Sequence, residues 1–517
     1  MKTESSGTLS ARSAKGISVI LKTGNAMLFN SIHFVFFFAI VTMAYFGLPH
    51  RFRWAMLLAA SCYFYMAFVP VYILILAFTI VIDYIAGIYI EGSMGVRRKM
   101  FLVSSIIANC GVLAFFKYYN FVNDSLLRAF NILGASYPLP FLNIILPIGL
   151  SFHTFQAMSY TIEVYRGSQP AERHFGVYAL YVMYYPQLVA GPIERPNNLL
   201  HQFHTPQTFE YNRVTDGLKL MLWGFFQKVV VADRLAPFVN QAYNQPSAYQ
   251  GPAFVVATVF FAFQIYADFA GYSDIAIGAS QVMGIKLMKN FNRPYFSKSI
   301  AEFWKRWHIS LSTWFRDYLY IPLGGNRAAT WRWLFNLFFT FLVSGLWHGA
   351  KWTFVIWGAL NGLYLIGEIA AEKVSNRFGP GSWMQRGCKW LSPLRVPFTF
   401  ALICFAWVFF RANSSADAFR IVSQLGSGWG ELVVHLADRD YLKANLLLGH
   451  DKAEFLGALA AIAVLLTVHV IQERGPLCKR ISAWPLPLRW SIYYAAVVVV
   501  LFFGAFNTSQ QFIYFQF

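Results

Sequence analysis

Thirteen stretches of this chain are oily enough to enter a bilayer, and that succession leaves little room for anything but helices. A spanning helix needs about 20 mainly apolar residues, because every backbone N–H and C=O must find its partner without water. The stretches are 29–48, 54–69, 71–90, 101–117, 142–162, 175–190, 214–232, 252–270, 333–347, 352–370, 396–411, 455–472 and 490–506. Segments 274–289 and 299–322 are more polar and ambiguous. Tyr and Trp gather near segment ends, as interfacial anchors do. The spacing predicts an all-α, polytopic transmembrane helical bundle of about 11–13 spans, with re-entrant or interfacial helices added. No repeat of fixed period interrupts it.

Charge supports the same class. Only 13% of the 517 residues are charged, against about 25% in soluble domains. The net charge of +19 would suit nucleic acid. Its Lys and Arg instead cluster in short loops between apolar runs, the positive-inside pattern, with anionic lipid headgroups as further partners. Nucleic acid is therefore not an expected partner. Residues 27–517 read as a single integral-membrane domain. Residues 1–26 are polar, Ser-rich and basic, and read as a disordered extension, or as lying upstream of a start at Met27. The five cysteines form no C-x-x-C pair, so neither zinc nor a disulfide framework is indicated. Cys62, Cys110 and Cys404 are expected as small buried hydrophobes.

Loop charge gives orientation. Arg51 and Arg53, then Arg97, Arg98 and Lys99, mark cytoplasmic loops, as do Lys373, Arg377, Arg386, Lys389 and Arg395, and Arg474, Lys479, Arg480 and Arg489. The loop 412–454 mixes both signs and is expected outside. Segment 299–322 has basic residues on both sides and so is expected to be re-entrant or interfacial rather than to cross once. Segments 333–347 and 352–370 form a hairpin whose turn, carrying His348, faces away from the cytoplasm.

Two histidines stand out against this background. His348 lies in Ser344-Gly345-Leu346-Trp347-His348-Gly349-Ala350, and His308 in Trp304-Lys305-Arg306-Trp307-His308-Ile309-Ser310-Leu311-Ser312-Thr313-Trp314. Ionisable groups inside a membrane are costly and mark substrate paths or reactive centres. On one helix through 299–322, Trp304 and Ser312 share the face of His308, while Glu302 and Arg306 are spaced as an i, i+4 ion pair. Gly345 and Gly349 permit close approach to His348. A neutral imidazole in an apolar site can act as general base on an acceptor hydroxyl attacking an acyl carbonyl, or can itself take the acyl group. His308 can orient the acceptor or polarise the carbonyl oxygen. No carboxylate motif joins the histidines, so a metal site is not indicated.

The remaining polar groups are weaker signals. Trp307, Trp347, Asp268 and Tyr272 join Trp304 and Ser312 as candidates for lining the substrate path. Gly191-Pro192 breaks a span, and turn chemistry explains it as well as a cavity does.

The stretches Pro186 to Arg195, Gln264 to Ala276, Asn290 to Tyr295, Glu302 to Tyr320, Gly324-Gly325-Asn326-Arg327 and Gly345 to Ala350 together resemble the membrane-bound O-acyltransferase family. The likeness is to its bacterial branch, which includes alginate O-acetyltransferase membrane subunits and teichoic-acid D-alanyl transfer proteins. It is plainest from Met27 to about Tyr364, with a signature core at about 186–364. The resemblance implies a funnel-shaped bundle with a central tunnel, entered by the acyl donor from the cytoplasm and by the acceptor from outside. It places the family's catalytic histidine on His348 and the second polar position on His308, and adds Asn326 to the lining candidates.

The residues and the resemblance together predict an O-acetyltransferase of the bacterial inner membrane. It moves acetyl, from acetyl-CoA and with no bound cofactor, towards hydroxyls of an exported polysaccharide of alginate type, directly or through a periplasmic acetyltransferase partner. D-alanyl or other acyl transfer to a cell-envelope polymer is the rival within the same class. A transporter with a proton relay is the rival outside it, and would call for paired halves.

Overall fold

The computed structural model describes residues 27–144, 146–189, 191–377, 392–475, 477–506 and 512–513. Segment 1–26, read as an extension, lies outside the described residues, as do Arg386 and Lys389 of the basic loop. Among the described residues every regular element is helical. Among the described residues seven helices are long and apolar enough to cross a membrane: Pro70–Gly92, Gly95–Ile132, Gly251–Val282, Trp352–Arg377, Ser392–Arg411, Lys452–Glu473 and Leu486–Phe503. A shorter apolar helix, α1 (Ile32–Gly47), precedes them. It starts at Ser31, whose hydroxyl accepts from Phe34 N–H at 3.2 Å. Its exposed Ile32, Phe36 and Ile40 recur every four residues and so form one outward apolar stripe, suited to lipid.

The chain divides into two compact units. Among the described residues, the first comprises 27–221 and Ser273–Met288. It holds α1, α2 (His50–Met66), α3 (Ile73–Gly92), α4 (Gly95–Leu113), α5 (Tyr119–Ile132), α6 (Leu150–Arg166), α7 (Phe175–Met183), α8 (Tyr185–Leu188), α9 (Pro196–His204) and most of α10 (Tyr211–Phe225). Helices α3, α4 and α6 pack on one another around buried polar groups. Asp83 accepts from Ser105 Oγ at 2.6 Å and Asn109 Nδ2 at 2.9 Å, and Ser105 Oγ lies 3.1 Å from Thr161 Oγ1. These buried side chains thus bond one another, which holds three oily helices in one register.

The second unit comprises the described residues within Leu222–Tyr272 and Lys289–Ile513. It holds α11 (Asp233–Asn244), α12 (Gly251–Val282) up to Tyr272, α13 (Ile300–Arg306), α14 (Ile309–Phe315), α15 (Thr330–His348), α16 (Trp352–Arg377) and α17 (Arg395–Arg411). There follow α18 (Ser415–Gln424), α19 (Trp429–Val434), α20 (Arg439–Asn445), α21 (Lys452–Glu473), α22 (Leu477–Ser482) and α23 (Leu486–Phe503). The loop expected at 412–454 therefore contains three short helices.

Several boundaries differ from the sequence expectation, for local reasons. Stretch 142–162 becomes helical only at Leu150, after Pro147 and a left-handed Gly149 (φ 76°). Stretch 175–190 breaks at Tyr184, because Pro186 removes an N–H that a continuing helix would use. Stretches 252–270 and 274–289 merge into the 32 residues of α12 as far as Val282. Its polar Asp268 is accommodated by Lys228, 2.7 Å away and equally buried. Lys228 also meets Asp233 at 2.7 Å, and Asp268 Oδ2 accepts from Ile513 N–H at 2.7 Å. Cys110, expected in the core, is exposed on α4, while Cys404 is buried.

Candidate active site

The helix expected over 299–322 is two helices with a break between them. Helix α13 ends at Arg306, Trp307 is extended (φ −101°, ψ 128°), and His308 takes the left-handed conformation (φ 43°, ψ 54°) before α14 begins. That conformation costs a non-glycine residue about 1–2 kcal/mol, and such strain persists where the surroundings over-determine it. Here a strap does so. Ile309 N–H donates to Asn290 O at 2.8 Å and Asn292 N–H to Arg306 O at 2.9 Å, while the His308 carbonyl accepts from Ser312 N–H at 2.9 Å as the cap of α14. The expected Glu302–Arg306 ion pair forms at 2.7 Å on α13.

The break turns His308 inward, where its side chain is fully buried. Its Nδ1 lies 3.0 Å from Asn290 Oδ1, which also accepts from Ser310 Oγ at 2.9 Å and, more distantly, from Ser310 N–H. A backbone N–H only donates, so the amide presents its oxygen and His308 Nδ1 must be the protonated nitrogen. In the neutral ring the Nε2 lone pair is then the basic one. Burial pushes the imidazole well below its ordinary pKa, and the nearby His348 acts in the same direction. The edge-on Phe269 ring at 4.6 Å completes a low-dielectric surround.

His348 is the last residue of α15. Its Nδ1 lies 2.7 Å from the carbonyl of Ser344, one turn earlier on the same helix. A carbonyl only accepts, so this ring too carries its proton on Nδ1, and when neutral is basic at Nε2. Gly345 packs within α15 against α16, where an added Cβ would strike the Phe354 carbonyl and come within 3.1 Å of Gly358 Cα. Gly349 meets the Phe354 ring in the same way. The α15–α16 hairpin thus closes backbone to backbone, and this fixes the position of His348.

Aromatic rings enclose both histidines. Trp347 lies 6.4 Å from the His308 ring and 5.1 Å from the His348 ring, so one indole touches both. Trp357 (4.9 Å) and Phe410 (5.6 Å) flank His348. His348 is 3% exposed. Its Nε2 is therefore a base in apolar surroundings, suited to a proton on a bound substrate rather than on bulk water.

The other expected residues divide. Trp307 is buried against Phe291 (5.1 Å) and Trp407 (5.1 Å), and Trp304 meets Trp357 edge to face (5.7 Å), so both belong to the ring cluster. Ser312 is spent on the Trp307 carbonyl at 3.1 Å. Asp268 and Tyr272 sit with the buried Lys228, whose ammonium lies 5.6 Å over the Tyr272 ring. Asn326 is exposed in the turn at Gly324 and Gly325, both with positive φ. Asn290, Ser344, Trp357, Trp407 and Phe410 were not singled out from sequence. Of these, Asn290 carried a signal, as a buried amide next to a turn, whereas the rings are lost among 52 Phe and 16 Trp. Among the described residues no group of three or more His, Cys, Asp or Glu side chains is placed to hold a metal ion.

Comparison with known proteins decides the family. The family model described as MBOAT, membrane-bound O-acyltransferase family, matches residues 144–410, which include both histidines and their rings. The chain belongs to the membrane-bound O-acyltransferase family. It is 40% identical over 405 residues to "Probable alginate O-acetylase AlgI" of Azotobacter vinelandii, covering 78% of each chain. It is 34% identical over 444 residues to "Peptidoglycan O-acetyltransferase" of Helicobacter pylori, covering 80% of this chain and 82% of the relative. A "Teichoic acid D-alanyltransferase" of Streptococcus thermophilus is 31% identical over 237 residues, 42% of this chain and 56% of the relative. This chain is accordingly a membrane-bound acyltransferase.

Proposed function

We propose that this acyltransferase O-acetylates an exported polysaccharide at the bacterial inner membrane, taking acetyl from cytosolic acetyl-CoA. The observation that carries the reading is the pair of buried, Nδ1-protonated imidazoles sharing the Trp347 ring, in a chain alike over most of its length to alginate and peptidoglycan O-acetylating proteins.

His348 Nε2 takes the proton of an acceptor hydroxyl as its oxygen attacks the acetyl carbonyl carbon. The C–S bond of the thioester then breaks, and the imidazolium returns the proton to the departing thiolate. His308 offers a lone pair rather than a proton at Nε2. It therefore orients the acceptor by accepting from a second hydroxyl beside the attacking one, and does not polarise the carbonyl. Exclusion of bulk water by the ring cluster protects the thioester from hydrolysis. The acceptor is the polymer itself or a hydroxyl of a periplasmic partner that completes the transfer.

The test is transfer of labelled acetyl from acetyl-CoA by the full chain in nanodiscs, with polysaccharide oligomers as acceptor. Transfer is expected from the parent and none from His348→Ala at equal folded yield. Full transfer by His348→Ala would overturn the reading. D-alanyl transfer is the second reading, favoured by the teichoic-acid relative; exchanging the donor for a D-alanyl thioester separates the two.

A further inference from the structure

Among the described residues three non-glycine residues have positive φ, and two of them, Arg293 and His308, stand at the strap that turns His308 inward. The strap joins two segments by Asn292 N–H to Arg306 O at 2.9 Å and Ile309 N–H to Asn290 O at 2.8 Å. Arg293 follows Asn292 in the left-handed conformation (φ 49°, ψ 59°), and Pro294 after it restricts the backbone further. The strain of two left-handed residues is comparable to what two backbone hydrogen bonds return. The strap by itself is therefore close to balance, and something must tip it closed.

Glu473, the last residue of α21, is placed to do so. Its Oε1 lies 2.9 Å from Arg293 Nε and accepts from Arg306 Nη1 at 3.0 Å. Arg293 borders one segment of the strap and Arg306 belongs to the other, so one carboxylate oxygen ties the two together. Arg306 Nη2 also meets Glu302 at 2.7 Å, and Arg293 Nη2 donates to Asn292 Oδ1 at 3.0 Å, which fixes both guanidiniums. One turn earlier on α21, His469 Nε2 lies 3.2 Å from the Tyr266 hydroxyl. The Tyr266 ring in turn meets Phe291 (5.8 Å) and Trp307 (6.2 Å), one residue from each segment of the strap. Helix electrostatics give no reason for this glutamate: at the C-terminal end of a 22-residue helix the dipole repels a carboxylate. A single exposed ion pair contributes little, but this carboxylate is shared by two guanidiniums and is 35% exposed, so it is only partly screened.

We propose that Glu473 is a positioning residue for His308: by clamping Arg293 and Arg306 it keeps the strap closed, and the closed strap holds the left-handed His308 with Nδ1 on Asn290 Oδ1. This rests on the part given to His308 in acyl transfer. Glu473 acts through the backbone, not on the reacting atoms. The C-terminal turn of α21, far along the chain, thereby sets the geometry of an imidazole that α13 and α14 carry.

The experiment reads the strap and the chemistry separately, on the full chain in nanodiscs. Amide hydrogen exchange at Asn292 and Ile309 reports whether the strap is closed. Glu473→Ala is expected to strip most of the protection from these two amides while α15 exchanges as in the parent. Glu473→Gln, which keeps the side-chain volume and one acceptor, should lose less. Raising the salt concentration should speed exchange at the strap in the parent and not in Glu473→Ala. In acetyl transfer, Glu473→Ala should lower kcat on the order of tenfold with KM for acetyl-CoA unchanged, as a small misplacement does. The same substitution should add nothing in the His308→Ala background. Parental protection of the strap in both Glu473 variants, faster exchange throughout the chain alike, or an equal fractional loss of kcat with and without His308 would overturn the proposal. Full transfer by His348→Ala would defeat the functional reading instead, and exchange, which needs no turnover, would still decide the clamp.

Discussion

Asn290 Oδ1 and His308 Nδ1 lie 3.0 Å apart, and the same oxygen is held by Ser310. One side-chain amide therefore fixes both the tautomer and the direction of a buried imidazole. Asn290→Ala is expected to lower acetyl transfer on the order of 10–100-fold per folded molecule, the usual result of a small misplacement of a reacting group. It also leaves Ser310 Oγ short of an acceptor, at about 1–3 kcal/mol of stability. Asn290→Asp still accepts from both donors and should retain more activity than the Ala variant. Equal losses in the two variants, measured as initial rate against folded yield, would show that the tautomer is not what Asn290 supplies.

A second outcome concerns the hairpin turn. Gly345→Ala places a methyl group against the Phe354 carbonyl and Gly358, so α15 and α16 must part by a few tenths of an ångström or more. Overpacking of this kind costs about 1–3 kcal/mol. Because His348 ends α15, activity should fall further than stability does. Thermal unfolding and acetyl transfer measured together check this; parallel loss of both would mean the glycine serves packing alone.

The two histidines were legible in the sequence because an ionisable residue in an oily stretch has few structural uses. So were the α15–α16 hairpin and the Glu302–Arg306 pair, which depend on spacing within one element. The left-handed His308 was not. No local residue breaks that helix, and the break is imposed by a backbone strap from Asn290 and Asn292, some sixteen residues earlier. Asp268 read as a candidate for the substrate path, and only the fold brings Lys228 within 2.7 Å of it.

That last pairing predicts a separation of folding from catalysis. Lys228, Asp233 and Asp268 are almost fully buried, and removing Lys228, the one cation facing two carboxylates, leaves uncompensated charge at about 3–5 kcal/mol. Lys228→Met should strongly reduce folded yield. Asp268→Asn, which keeps an acceptor for Ile513 N–H and leaves Lys228 paired with Asp233, should lose less yield than Lys228→Met, while the folded protein keeps its transfer rate. A normal yield with a collapsed rate in Asp268→Asn would instead place Asp268 on the substrate path.

Glu194 supplies a pH signature in the first unit. It is fully buried, with Oε1 accepting from Met288 N–H and Oε2 from Asn198 Nδ2, each at 2.5 Å. Burial raises its pKa from 4.5 to about 7; the two hydrogen bonds and the charge of Arg195 act oppositely but do not offset it. Below the ordinary carboxyl pKa, folded and unfolded chains are both protonated, and the stability is fully present. As pH rises, the unfolded chain ionises first while the folded chain keeps its proton, so stability is lost progressively up to the folded value near 7. Glu194→Gln removes that slope. Thermal unfolding of the two proteins should agree near pH 4–5 and favour the Gln variant above pH 7, with the gap opening between. A Gln variant less stable than the parent at high pH would mean that the Met288 and Asn198 hydrogen bonds outweigh burial, and that Glu194 is held ionised.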